Sequence, residues 1–294
     1  MEASSRDITK INSDVLSNPQ SGPQTVGQLE AALLNLFPRQ DALDWDKTGL
    51  IVGDPFAKLT GVAIALDATI EAVRLTCELG ASVLLTHHPV FLGGIEDIHP
   101  YMQGRVGTDA VVYEAIARGV ALINFHTCLD ASEQALHVLP SMLNLNFESV
   151  LKPLEHAPQK GFGSLCSVNP EETGLNLSQL AARCVAVFGR IPRVWGNEKL
   201  ALDRVVTTTG SAGDLLQSCL DARCDCLVCG EVRYHSALDA LAAGLSIIEL
   251  GHDVSELPLC AILASATGSV GVPEDAIHVI DQSYNWWTPE ASRR

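Results

Sequence analysis

A chain of 294 residues that is 47% apolar and 18% charged buries the core of one large domain or of two lobes, and is too apolar to stay disordered. Its 19 Lys and Arg against 35 Asp and Glu leave a formal charge of −16, which argues against a general nucleic-acid binder or a protein held on an anionic membrane and suits divalent cations. The nine cysteines show no disulfide spacing, the polar start MEASSRDITK has no apolar signal region, and no apolar run reaches the roughly 18 residues of a membrane span; a reduced, cytoplasmic location is expected.

Residues 1–24 are polar, without periodicity, and read as a flexible N-terminal tail. Thr25-x-x-Gln28 is a capping box, and Val26, Leu29, Leu33 and Leu36 follow at helical spacing until Pro38 stops the helix. Leu50–Val52 and Val62–Leu66 read as strands, Ile70–Leu79 as a helix closed by Gly80, and Ser82–Thr86 as a wholly apolar strand. Ala110–Arg118 is a helix closed by Gly119, and Val120–Phe125 the next strand. The pattern weakens over 131–200, with a strand at Gly161–Val168 and a helix at Leu177–Phe188 closed by Gly189. It returns with strand Arg204–Thr208, helix Leu215–Leu220, strand Cys226–Val228, helix Ser236–Ala243, strand Leu245–Leu250 and a last strand near Ile277–Ile280. The expected fold is α/β: two lobes, 25–130 and 201–285, whose mixed, mostly parallel sheets are covered by helices. A less regular connecting segment, 131–200, and a C-terminal tail, 286–294, complete the expectation.

Four apolar strands run into metal-capable or acid–base residues. Thr86 leads into His87-His88-Pro89, Phe125 into His126 with Asp130 four residues on, Val228 into Gly230-Glu231 with His235 beyond, and Leu250 into Gly251-His252 with Glu256 four residues on. Ligands gather at the carboxyl ends of strands in open α/β sheets. Adjacent side chains on an extended strand point to opposite faces, so His87 and His88 fit two neighbouring ions better than one. A lone histidine is more often a surface or core residue, and His99, His137, His156 and His278 take that reading. The joint set His87, His88, Asp130, His252 and Glu256 is the candidate ligand set. For Glu256 the spacing leaves a second reading: with Ser255 as N-cap and Pro258 in the first turn, it would be an ordinary first-turn acid.

Two further features are weaker. The turn Thr207-Thr208-Thr209-Gly210-Ser211-Ala212-Gly213 precedes a helix, and Gly210, Ser211 and Gly213 are candidate contacts to an anion, although a simple tight turn explains them as well. Cys224, Cys226 and Cys229 lie close together, yet thiols along a buried strand serve as small apolar residues, and a closed zinc site wants a fourth ligand.

At these residues the sequence resembles the Nif-three-like (YbgI-like) proteins, many of which carry the label GTP cyclohydrolase 1 type 2 homologue. The matching motifs are Trp45-Asp46-x-x-Gly49-Leu50-x-Val52-Gly53, Leu85-Thr86-His87-His88-Pro89, His126-Thr127-x-Leu129-Asp130, Gly210-x-x-Gly213, Gly230-Glu231 and Gly251-His252-x-x-Ser255-Glu256. The resemblance implies a dinuclear divalent-metal site between the lobes, with His88 and Asp130 on one ion, His87 and His252 on the other, and Glu256 bridging. It also implies ring-like hexamers built from dimers, with His126, Glu231 and His235 where the family keeps acid–base or supporting residues; the exposed-looking Trp286-Trp287 is a candidate for a subunit contact. Lys47 and Cys128 stand where the family usually has Asn, no basic residue follows His-His-Pro in Phe91-Leu92-Gly93-Gly94, and Ala131-Ser132-Glu133-Gln134 replaces a Gly-rich stretch.

The expected function is a cytoplasmic metal-dependent hydrolase with two divalent ions per chain, for which Zn, Fe, Mn and Co fit equally. A small phosphorylated or nucleotide-like ligand and self-association are the expected partners, with neither nucleic acid nor membrane. The alternative is a metal-handling or regulatory scaffold without turnover, favoured by the acidic balance and the missing basic residue.

Overall fold

The structure, a computed structural model, describes residues 22–287 apart from 96, 104–106 and 173. The tail expected at 1–24 and the end of the one expected at 286–294 therefore lie largely outside the described residues. In chain order the elements are α1 (Val26–Leu36), β1 (Gly49–Val52), β2 (Val62–Ala65), α2 (Ile70–Glu78), β3 (Val83–Thr86), α3 (Asp109–Arg118), β4 (Ala121–Asn124), α4 (Thr127–Asp130) and α5 (Glu133–Met142). There follow β5 (Leu145–Leu154), β6 (Ala157–Val168), α6 (Leu177–Phe188), β7 (Arg193–Trp195), β8 (Arg204–Thr207), α7 (Leu216–Asp221) and β9 (Cys226–Cys229). The chain ends with α8 (Tyr234–Ala242), β10 (Ser246–Glu249), α9 (His252–Glu256), α10 (Leu259–Ser269) and β11 (Ile277–Val279). Among the described residues no helix is long and apolar enough to cross a membrane.

Local chemistry accounts for most of these boundaries. The Thr25 hydroxyl accepts the Gln28 N–H at 3.2 Å while Gln28 Oε1 accepts the Thr25 N–H at 3.3 Å, so α1 starts with two of its orphan donors satisfied. Val26, Leu29 and Leu33 are fully buried on its inner face. Gly119 and Gly189 close α3 and α6 in the left-handed region at φ 68° and 67°, where a side chain would be strained.

The elements form two mixed sheets covered by helices. The first has the order β1-β4-β3-β2-β11, parallel except for the antiparallel β1–β4 edge. Its strand residues alternate between two cores: Val62, Ile64, Val83, Leu85 and Ile123 pack under α1 and α10, while Ala63, Ala65, Leu84 and Leu122 pack under α2 and α3. The second sheet has the order β5-β6-β8-β9-β10-β7; β8, β9 and β10 are parallel, and antiparallel pairings add β5, β6 and β7. Here Val205, Cys226, Val228 and Ile248 face α6, while Val206, Leu227, Cys229 and Ile247 face α7 and α8. Cys226 and Cys229 thus lie on opposite faces as core residues, and among the described residues no cysteine joins a group of metal-capable side chains.

Two expectations change. Residues 131–200 are not a loose connection: they form α5, the long β5–β6 hairpin, α6 and β7, half of the second sheet. The C-terminal part of the expected 201–285 lobe returns to the first sheet, where α10 packs against α1 and β11 pairs with β2. Trp286, placed in the C-terminal tail, is held: its indole N–H donates to Asp253 Oδ2 at 2.8 Å and the Arg190 guanidinium lies 4.5 Å over its ring.

A buried carboxylate ties the sheets together. Asp41, in the turn after α1 and 1% exposed, accepts from Lys160 Nζ at 2.6 Å and His156 Nε2 at 2.8 Å, both from the hairpin side. Burial pushes its pKa up, but Lys160 and His156 outweigh this and hold it below the usual value. Asp41→Asn is expected to cost about 1–3 kcal/mol, since a charge-assisted bond is lost and Lys160 is left facing an amide. Because the folded pKa is depressed, this contribution is complete above the unfolded value of about 4 and is lost as pH falls through the folded one. Urea midpoints of the two proteins should differ most near neutral pH and converge in acid; a pH-independent gap would contradict the ion-pair account.

Candidate metal centre

The parallel strands of both sheets end at one place. His87 and His88 leave the end of β3, His126 and Asp130 follow β4, the turn 208–213 follows β8, Glu231 follows β9, and α9 carrying His252 and Glu256 follows β10. Ser255 caps no helix. Its hydroxyl donates to the His252 carbonyl at 2.8 Å and accepts the Gly210 N–H at 2.9 Å, which leaves Glu256 as the buried last residue of α9. A carboxylate at that end gains nothing from the helix dipole, so the first-turn reading of Glu256 does not hold.

The four imidazoles of the cluster are anchored in one way, through Nδ1. His87 Nδ1–H donates to the Phe125 carbonyl at 3.0 Å, and His88 Nδ1 pairs with Asp67 Oδ1 at 2.8 Å. His126 Nδ1 pairs with Asp46 Oδ1 at 3.0 Å, and His252 Nδ1 with Glu231 Oε1 at 3.1 Å. Each Nε2 lone pair is thereby turned inward. His88 Nε2 and His252 Nε2 lie 2.9 and 3.2 Å from Glu256 Oε2, while His87 Nε2 lies 3.6 Å from Asp130 Oδ1 and 3.7 Å from Glu256 Oε1. With the imidazoles neutral and protonated on Nδ1, buried His87 Nε2 and Glu256 Oε2 are left without a hydrogen-bond donor.

Lone pairs of neutral imidazoles and carboxylates cannot face one another at these distances without positive charge between them. Without a metal, protons supply it. Burial opposes charging of His88, but Asp67 and Glu256 outweigh it and push its pKa up to about 10; Glu256 does the same to His252, to about 9, against burial. Burial raises the Asp130 carboxyl, with Glu256 adding to it, whereas the surrounding histidines hold Glu256 well below its ordinary range despite burial. The donor set, with every outer nitrogen tied to an oxygen acceptor, is one that could hold a metal.

The candidate residues are distributed as follows. His87, Asp130 and Glu256 offer ligand atoms within 4.8 Å of one another, as do His88, His252 and Glu256, and also His87, His88 and His126. The resemblance implied His88 with Asp130 and His87 with His252; the structure groups them the other way. The reason is the order of strands, since β3 lies between β4 and β2. His87 is anchored on the β4 side, which supplies Asp130, and His88 on Asp67 after β2. Glu231 supports His252, and His235 is exposed with its ring edge-on to Tyr234, outside these groups. Gly210 spends its N–H on Ser255 rather than on an anion, while Ser211 and Gly213 line the adjacent cleft. Asp67 and Asp46 were not assigned roles from sequence. Asp67 follows an apolar strand just as His87 does, and that signal could have found it.

A cleft of about 640 Å³ opens beside the cluster, lined by His126, Asp130, His252 and Glu256 on one side and by residues of α5, the β5–β6 hairpin and α8 on the others.

Fold and site together define an α/β protein of two mixed sheets with a histidine–carboxylate cluster able to hold metal at their strand ends. Residues 24–278 match the family described as Duf34/NIF3 (NGG1p interacting factor 3), and the chain belongs to that family. It is 28% identical to a GTP cyclohydrolase 1 type 2 homolog of Streptomyces coelicolor, over 82% of this chain and 84% of that protein. To a protein of the same name from Campylobacter jejuni it is 30% identical, over 72% of this chain and 79% of the relative. The crystal structure of Staphylococcus aureus hypothetical protein SA1388 shares the fold with TM-score 0.80 at 20% identity, covering 90% of this chain and 99% of that one.

Proposed function

We propose that this chain is a dinuclear divalent-metal hydrolase acting on a small substrate in the cleft. The observation that carries the reading is the convergence of Nε2 lone pairs and two carboxylates on a shared centre, with every Nδ1 tied down. His87 with Asp130 would hold one ion and His88 with His252 the other, Glu256 serving both; Zn, Fe, Mn and Co suit this set. Such ions, when bound, supply Lewis acidity to the substrate and lower the pKa of water. His126 donates Nδ1–H to buried Asp46, which also accepts the Thr127 N–H at 2.9 Å, so its Nε2 is oriented to take a proton at the cluster's edge. Glu231 fixes the ring of His252.

The name carried by the relatives puts ring opening of GTP first among reactions to assay, followed by phosphoesters and amides. With metal occupancy measured in parallel, turnover should fall on chelation and return on readdition. Full occupancy without turnover across the screen would favour the metal-handling or regulatory scaffold.

The free state of all nine cysteines supports a reducing, cytoplasmic setting. Self-association into a hexamer built from dimers is part of the same reading, and exposed Trp287, with 70% of its surface accessible, is a candidate contact. Light scattering at micromolar concentration should show a particle several times the chain mass; a monomer would overturn the assembly.

A further inference from the structure

We propose that the cleft takes a small phosphomonoester-class anion with a flat apolar body, its phosphate held by Arg233 and Lys152. The inference rests on the reading of this cleft as a substrate site and names what enters it. Outside the histidine–carboxylate cluster, the charged residues lining the cleft, among those described, are Lys152, Arg233 and Asp214. Arg39, Arg74, Arg118, Lys160, Arg183 and Arg193 each pair with a carboxylate, so a good part of this acidic chain's positive charge is neutralised within the fold. Among the described residues Lys152 and Arg233 have no such partner.

Local geometry groups the donors. Ser211 forms a β-bridge with Glu231, two residues before Arg233, and Ser236 lies one helical turn beyond Arg233. Both hydroxyls line the cleft and, among the described residues, are without a hydrogen-bond partner. A guanidinium, an ammonium and two hydroxyls offer more donors than the two oxygens of a carboxylate use, and suit the three terminal oxygens of a phosphomonoester. Lys152 sits opposite Phe162 in the β5–β6 register, the exposed indole of Trp45 stands edge-on to His126 at 5.7 Å, and both aromatic rings line the same cleft as the donors. The Gly210 N–H is already engaged, so these side chains, and not the glycine turn, recognise the anion.

The test is calorimetric titration of the chelator-stripped full-length chain with phenyl phosphate, inorganic phosphate and benzoate, with metal uptake of the same proteins measured separately. Phenyl phosphate should bind saturably and more tightly than the other two. Arg233→Ala and Lys152→Ala should each weaken it about tenfold, the loss of one charge-assisted contact, and Phe162→Ala should remove its advantage over inorganic phosphate. Both cationic side chains are exposed, so the variants should fold as the parent does; Arg233→Gln and Lys152→Met, checked by circular dichroism, repeat the test with more conservative shapes. Unchanged affinity in these variants, benzoate binding as tightly, or no saturable binding to the parent chain would overturn the proposal. Failure of the parent to take up metal, with Arg233-dependent phenyl phosphate binding intact, would instead overturn the hydrolase reading alone.

Discussion

If the centre is dinuclear as proposed, replacing Glu256 with alanine is expected to empty both metal positions at once. Glu256 belongs to both ligand groups, its two oxygens lying 2.9 to 3.7 Å from three imidazole nitrogens. Its loss removes the one negative charge common to the two positions and leaves His88 and His252 facing each other without a carboxylate between them. Asp130→Ala should empty only the His87 position, and His252→Ala only the other. His235→Ala should leave both filled, because that ring packs on Tyr234 away from the groups. Metal-to-protein ratios across the four variants, with circular dichroism to establish folding, distinguish a shared ligand from a residue that merely fills space. A wild-type ratio in Glu256→Ala would end the bridging assignment.

Gly210→Ala should disturb the same centre through the backbone. Gly210 has φ +58°, and a Cβ there would run into Glu256 Oε1 with His252 Cε1 only 3.7 Å away. A non-glycine residue in this region costs about 1–2 kcal/mol, before any cost of displacing the glutamate. The expected result is a melting midpoint lower by a few degrees together with reduced metal content. Gly213 is the control within the same turn: its φ is ordinary and nothing lies within 4 Å of a Cβ there. Gly213→Ala should change neither quantity. Equal effects at the two glycines would show that the turn as a whole, and not the approach of Gly210 to Glu256, is what matters.

The candidate ligands were legible because each follows a run of apolar residues that has to be a buried strand, and the structure brings all five together. Which of them group together was not legible. It depends on which neighbouring strand each histidine leans toward, and the anchors Phe125 and Asp67 lie 38 and 21 residues away from the rings they hold. The helix boundaries from Thr25 to Arg118 could be read from caps and closing glycines. β5 could not, because it is an edge strand whose exposed Lys152 and Pro153 interrupt any apolar run. α5 was hidden by Pro140 within it, and α10 by small residues and a buried surface that blur the helical period. The return of α10 and β11 to the first sheet has no local signature, since it is recorded only by long-range contacts: Leu259 and Leu263 share a core with Leu29 and Leu33, and β11 pairs with β2.

On the function proposed above, the inward-facing nitrogens and carboxylates hold two divalent ions. Elemental analysis of the chain purified without chelator tests it most directly. Two equivalents of a divalent transition metal per chain are expected, falling to about one in Asp130→Ala and to none in Glu256→Ala. Parent protein that stays metal-free after incubation with Zn, Mn, Fe or Co, while folded and with the cluster intact, would contradict it.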